Sequence, residues 1–361
     1  MTNRERQIIE ILRQSPLISQ KELADTLGIK RSSVAVHITN LVKKGHIKGK
    51  GYILQEDDYA VVIGGANMDI TGFTQHNLID RDSNPGRITM TPGGVARNIA
   101  HNLVNLGINT KLVTAIGNDV FGNQLLDSCT QCGIDTSLIK KIENHSSSIY
   151  LSIIENSGDM KLAISDMGIT ERLTKEMLAS HHHIIDNASC IIADTNLEKG
   201  LLEYLATTFK DRVILDTVST AKTEKIIDFV GSFKMIKPNR QEAELLVGFS
   251  IKTKKQAEKA IEILLDKGVQ TIILTMGEEG VLYGSSRGLA SLKLPGSSAV
   301  NTTGAGDAFL AALVYGQLRG YSLNESVKIA STASLLTMKS EFSSDPSLCE
   351  DILINTYQTI S

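Results

Sequence analysis

The chain has 361 residues, 42% of them hydrophobic and 21% charged, with a formal net charge of -3. That length and balance exclude a disordered or fibrous chain and favour one large globular domain with something smaller attached. The mean charge hides a split: residues 1–55 hold ten Lys/Arg against four Asp/Glu, a balance of +6, which leaves -9 for the rest. A small basic head therefore precedes an acidic body. The start, MTNRERQIIEILRQ, is charged and amphipathic, and no apolar run reaches the ~18 residues of a membrane span, so a cytoplasmic protein with no membrane partner is expected. Cys129 and Cys132 form one CxxC with no second pair, and the His181 to His183 triplet has no nearby carboxylate. Structural thiols and a solvated helix end are the expected roles.

In the head, apolar spacing predicts helices over Arg4 to Gln14, Ser19 to Thr26 and Lys30 to Lys44. Ser19 and Glu22 have the spacing of a capping box, and Gly28 permits the tight turn that a helix-turn-helix needs. Gly45 stops the third helix, and His46 to Leu54 then reads as a short hairpin with lysines at its tip, a wing. On the third helix Val34, Ile38, Leu41 and Val42 form the expected inward stripe. That leaves Lys30, Arg31, Ser32, Ser33, His37 and Asn40 outward. Lys30, Arg31, Lys48 and Lys50 suit DNA phosphates, while Ser33, His37 or Asn40 could reach base edges in a major groove. The stretch ISQKELADTLGIKRSSVAVHITNLVKKGHIKGKGYIL resembles the winged helix-turn-helix heads of bacterial transcriptional regulators, which implies double-stranded DNA as a partner. The other reading is a docking module with a solvated basic face. We place the head at 1–54, an acidic linker at 55–58 and the body at 59–361.

In the body, strand-like runs (AVVIGG, TKLVTAIG, SCIIADT, DRVILDT, FKMIKPN, QTIILTMG) alternate with helical ones, which predicts a doubly wound α/β sheet. Ligands of such sheets collect at the carboxyl ends of the strands. The most informative turn is Gly304-Ala305-Gly306-Asp307 before the apolar run LAALVYGQL. Gly304 and Gly306 let backbone approach a phosphate, and a helix start with its free N–H groups favours an anion there. Asp307 would repel phosphate, yet it is well placed to accept a hydroxyl proton. Taken alone, the turn could equally be structural.

VNTTGAGDAF and Gly93-Gly94-Val95-Ala96-Arg97-Asn98 resemble the two signatures of the PfkB/ribokinase family of carbohydrate and nucleoside kinases, in the family's order. The resemblance spans residues 59–361 and includes GGANMD at 64–69, KPNRQE at 237–242 and TMGEEG at 275–280. It implies a ribokinase-like fold with a small β lid, built here from residues around Met68 to Met90 and Ser147 to Leu162. It implies ATP and Mg2+ as cofactors, with Asp307 as base and Gly304, Ala305 and Gly306 as its anion hole. By the same resemblance Asn67, Asp69, Gly93, Gly94 and Asn98 hold substrate hydroxyls, Thr275, Gly277, Gly280 and Asn239 line ATP, and Glu242 with Asn239 serves the metal. Glu242 could instead cap the helix after Asn239. Asn301 stands where many members have an aspartate near a monovalent cation, so K+ stays open.

The stretches around Ile164 to Met167, Ala193 to Leu197 and Asp216 to Lys222 resemble the pseudouridine kinase branch. That implies transfer of the γ-phosphoryl group to a ribose 5′-hydroxyl, with Asp166 set to reach the base. Another nucleoside or ribose is the alternative substrate, and a non-catalytic ligand sensor is the alternative class. A homodimer is a family-level expectation.

Overall fold

The computed structural model describes residues 2–15, 18–47, 58–293, 303–340 and 342–360. The chain divides into two compact units, Met1–Asp58 and Tyr59–Ser361.

The first unit packs three helices, Asn3–Gln14, Gln20–Leu27 and Arg31–Lys43, around Ile8, Leu12, Leu23, Val34 and Leu41. Local signals account for the helix starts: Ser19 and Glu22 form a reciprocal capping box, and Gly28 takes the left-handed conformation at the next helix end. Lys44 ties back to the first helix through an ion pair with Glu5, at 2.8 Å. One expectation is corrected: Val42 is 47% exposed and lies outside the apolar stripe of Val34, Ile38 and Leu41. At 100° per residue Val42 falls about 80° from Val34, at the edge of that face. The expected wing, with Lys48 and Lys50, lies outside the described residues.

The second unit is built on an eight-stranded sheet. Its strands are β1 (Tyr59–Ile63), β4 (Asn109–Val113), β9 (Cys190–Asp194), β10 (Val213–Asp216), β11 (Met235–Lys237), β12 (Thr271–Thr275), β13 (Val281–Ser285) and β14 (Gly288–Leu292). The order is β14-β13-β12-β11-β10-β9-β1-β4, parallel from β12 to β4, with β13 and β14 added as an antiparallel edge. The expected doubly wound arrangement is present; the edge hairpin was not foreseen. Alternation feeds two cores. Tyr59, Val61 and Ile63 of β1 enter one, with Leu201, Leu205, Ala243 and Ile261 from helices on that face. Ala60 and Val62 enter the other, with Ile99, Leu103, Phe309 and Leu313.

A second sheet holds β2 (Asn67–Thr74), β3 (Gly86–Gly93), β7 (Ile149–Ile154) and β8 (Met160–Asp166) in the order β3-β2-β7-β8; β5 (Ala115–Gly117) and β6 (Lys140–Ile142) pair separately. Register aligns Met90, Ile70, Leu151 and Ile164 in one row and Ile88, Gly72, Ile153 and Leu162 in the next. One face of this lid is thus apolar, with Ile88, Met90, Leu162 and Ile164 each more than half exposed. Asp69, Thr71 and Ser152 occupy the opposite, polar face.

Candidate active site

Because six strands run parallel, the last residues of β1, β9, β10, β11 and β12 reach the same edge. Asp194 ends β9 with no solvent exposure. Its carboxylate accepts from the backbone N–H of Gly65 at 3.0 Å, Ala96 at 3.0 Å and Asn196 at 2.8 Å. This binds the loop after β1 to the start of the helix Val95–Asn105. The approach leaves no room for side chains: a Cβ on Gly64 would stand 2.3 Å from the Asp194 carboxylate, and one on Gly94 would stand 2.5 Å from Ala66 Cα. Gly94 also has φ +100°, a conformation that favours glycine.

Asn67 and Asp69 begin β2, and the Asn67 side-chain amide donates to Asp69 at 2.6 Å. A Cβ on Gly93 would lie 2.1 Å from the Asp69 carboxylate, so Gly93 packs directly against it. Burial pushes the Asp69 carboxyl up, opposed by the Asn67 hydrogen bond and the Arg97 charge. On the adjoining helix Asn98 donates from Nδ2 to Asp307 Oδ2 at 2.9 Å. That bond joins the two glycine turns, 209 residues apart in sequence.

Gly304 caps the helix Ala305–Leu318 with φ +80°, and a Cβ there would strike the Ser343 carbonyl. The first amides of this helix have no intrahelical acceptor, which suits an anion. The helix is buried nearly all round from Ala308 to Gly316. Burial first, then the Asp216 and Asp194 carboxylates, push the Asp307 carboxyl up to about 8, against Asn98 and the Lys237 charge. Lys237 ends β11, makes an ion pair with Asp216 at 3.0 Å, and has its Nζ 3.5 Å from where a Cβ on Gly306 would stand. Burial alone would lower the Lys237 ammonium; Asp216, Asp307 and Glu242 reverse that and hold it above its usual range.

Glu242 is 3% exposed and forms a capping box with Asn239: its oxygens accept from the Asn239 backbone and side chain, each at 2.8 Å, and from Thr217 at 2.6 Å. The capping role weighed for Glu242 is therefore present. Thr275 bridges to Asn239 in parallel, while Gly277 is exposed at φ +60° with open space above it. Gly280 has a structural reason to be glycine, since a Cβ there would sit 2.2 Å from the Leu292 carbonyl.

The structure gathers Asn67, Asp69, Gly93, Gly94, Asn98 and the Gly304 to Asp307 turn, and it sets Asn239, Glu242, Thr275 and Gly277 along the same sheet edge. Asp166 is not among them. It pairs with Ile149 and shares the parity of Leu162 and Ile164, so it stands exposed on the apolar side of the lid, opposite Asp69. A period of two along β8 fixes this, and the base-reading role is withdrawn. Asn301 lies outside the described residues. Sequence reading missed three groups: Asp194, Asp216 and Lys237. Their signal was position, each being the last residue of a strand at the edge that binds ligands.

On the head, Lys30, Arg31 and Ser33 are exposed, whereas His37 and Asn40 are half-buried. Val36 and Thr39 are exposed beside them and were not singled out. An apolar residue left outside the stripe, as Val36 is, was the available signal. The three histidines sit at a helix junction, where His182 stacks on Phe209 at 5.1 Å, and no group suited to a metal exists among the described residues.

A family model described as pfkB family carbohydrate kinase matches residues 57–348. The chain belongs to the pfkB carbohydrate kinase family. As a member it is a phosphotransferase acting on a hydroxyl group of a sugar or nucleoside. A model described as winged helix-turn-helix DNA-binding matches residues 1–48. Among curated relatives, the "Uncharacterized sugar kinase YeiI" of Escherichia coli (strain K12) is 38% identical over 353 residues, covering 97% of this chain and 98% of the relative. The pseudouridine kinase of the same strain is 38% identical over 299 residues, covering 82% of this chain and 95% of the relative. A ribokinase of Arabidopsis thaliana, complexed with ribose and ATP, superposes with a TM-score of 0.73 at 20% identity, covering 84% of this chain and 99% of that one, which shows the fold alone.

The raised Asp307 carboxyl has a cost in this kinase. The folded state holds its proton to about 8 while the unfolded chain releases it near 4, so this group lowers stability as pH rises through that window. Asp307→Asn should raise the melting temperature of the ligand-free protein, and by more at about pH 9 than at about pH 5. Thermal denaturation at the two pH values checks this; equal gains at both would place the carboxyl in its ordinary range.

Proposed function

We propose that this pfkB kinase transfers the γ-phosphoryl group of ATP to the 5′-hydroxyl of pseudouridine, and that its head binds double-stranded DNA. The observation that carries the kinase reading is the Asn98 to Asp307 hydrogen bond, which puts the sugar-facing turn and the anion-binding turn one side chain apart. The substrate reading is supported by the 38% identity to a pseudouridine kinase over most of both chains.

In this reading Asp69 accepts from ribose hydroxyls, Asn67 holds the Asp69 carboxylate in place, and Gly93 and Gly94 leave the backbone bare beside the sugar. Asp307 takes the proton of the attacking hydroxyl; a base poised near neutral pH combines the ionised form with real proton affinity. Amides of Gly304, Ala305 and Gly306 and the Lys237 ammonium face the negative charge of the phosphoryl group. Thr275, Gly277 and Asn239 flank the nucleotide, and Gly280 shapes that turn.

The residues present fit magnesium held chiefly by phosphate and water, since Glu242 already serves Asn239 and Thr217 and no all-protein cage exists among the described residues. Glu242, supported by Asn239, would reach the ion through water. When bound, the ion neutralises charge on the transferring phosphate.

Initial rates with MgATP across pseudouridine, uridine, inosine, adenosine and ribose test this. Pseudouridine should give the highest kcat/KM, and Asp307→Asn should lower kcat by about 10²–10⁴. Preference for ribose would overturn the substrate, and an unchanged Asp307→Asn would overturn the base.

For the head, Lys30 and Arg31 would contact phosphates and Ser33, His37 or Asn40 base edges. Binding of the full chain to a random-sequence DNA duplex should weaken steeply between about 50 and 200 mM salt. Lys30→Ala and Arg31→Ala should each flatten the logarithmic salt slope by about one. Salt-independent binding, or none, would favour the docking-module reading.

A further inference from the structure

Arg97 carries a charge that the proposed chemistry does not use. It sits in the first turn of the helix Val95–Asn105, 5% exposed. Its guanidinium donates to neutral acceptors: the Pro92 carbonyl at 3.2 Å, Asn98 Oδ1 at 3.2 Å, Ser128 Oγ at 3.1 Å and, more weakly, Cys132 Sγ at 4.0 Å. Its Nε has no hydrogen-bond partner among the described residues. A buried cation whose hydrogen-bond acceptors are all neutral is costly, even with the Asp69 carboxylate within electrostatic reach, and an apolar side chain would fill the same space more cheaply.

Its contact with Asn98 supplies a reason. A guanidinium can only donate, so it takes the carbonyl end of the Asn98 amide and turns the NH2 end toward Asp307. The opposite orientation would point a carbonyl at Asp307. Only a protonated carboxyl could bond to that, and a protonated Asp307 accepts no proton. Turned as it is, the amide donates to the carboxylate and favours the ionised form.

We propose that Arg97 is a positioning residue that locks the Asn98 amide and thereby keeps Asp307 competent as a base. This rests on the reading of Asp307 as the base. Charged groups facing Asp307 from other elements are Asp194 on β9, Asp216 on β10 and Lys237 on β11. They do not touch the amide and stay in place when Arg97 is changed. His101, one turn along the same helix, is pushed down to about 4 by burial and the Arg97 charge, so it is neutral above that pH.

The test is the pH profile of kcat for the best substrate of the panel above, measured on the full chain. In Arg97→Met the acid limb should move upward by about one unit, the scale of one lost charge-assisted hydrogen bond, with kcat regained at high pH. Asn98→Leu, close in volume and without a donor, should show the same shift whether or not the Arg97 variant folds. The double variant should shift no further than either single one. An unmoved limb in Asn98→Leu, or shifts that add in the double variant, would overturn the proposal. An acid limb that survives in Asp307→Asn means that the base reading has failed, and the inference with it. A limb lost in Asp307→Asn yet unmoved in Arg97→Met rejects the inference alone.

Discussion

The pocket hangs on one buried carboxylate. Asp194 accepts three backbone N–H groups, from Gly65, Ala96 and Asn196 two residues on, with no exposure to solvent. Burying that charge is tolerable because hydrogen bonds surround it. Once it is there, the loop after β1 and the helix after Gly94 must lie within one side chain of each other, and both need bare glycine backbone to do so. Asn67, Asp69 and Asn98 inherit their places from that junction. The other wall, from Gly304 to Asp307, is tied to it by the Asn98 amide.

Charge is unevenly matched at this edge. Asp216, Glu242 and Asp307 crowd near Lys237 while Asp194 has Lys222 within electrostatic reach, and burial raises the carboxyls of Asp194, Glu242 and Asp307. Such a site suits the cations that the proposed function would bring with the nucleotide. Burial first, then this crowding, gives Asp307 its proton affinity, so the cost to the empty protein and the base role proposed for it share a cause.

Much of this was legible in the sequence because it is local. Capping boxes, strand alternation and the two glycine turns are written in neighbouring residues, and all of them appear in the structure. What escaped depends on placement across the fold. Lys237 reads as an ordinary cation in IKPN until β11 is seen beside β10, where it faces Asp216. Arg97 lies inside a signature, yet its partners Pro92, Asn98 and Ser128 come from three elements. Asp166 erred the other way: it was expected to follow a strand-like stretch ending at Leu162, whereas it is the last residue of β8, and strand parity turns its side chain to the face opposite Asp69. Val42 shows the same sensitivity in a helix, where the edge of an apolar stripe is set by neighbours as much as by spacing.

The helix that begins at Gly304 is buried along almost its whole length and packs so tightly that a Cβ on Gly316 would stand 2.8 Å from Ser326 Oγ. Asp307 is therefore held by a helix anchored in the core, and change along the buried stretch from Ala308 to Gly316 carries a stability penalty before it alters chemistry. The lid is built differently: β8 is exposed along its whole length and β3 along much of it, so substitutions there cost the fold little. In a lineage of such kinases, drift and selection would leave the transfer machinery standing and search for new acceptors through the lid.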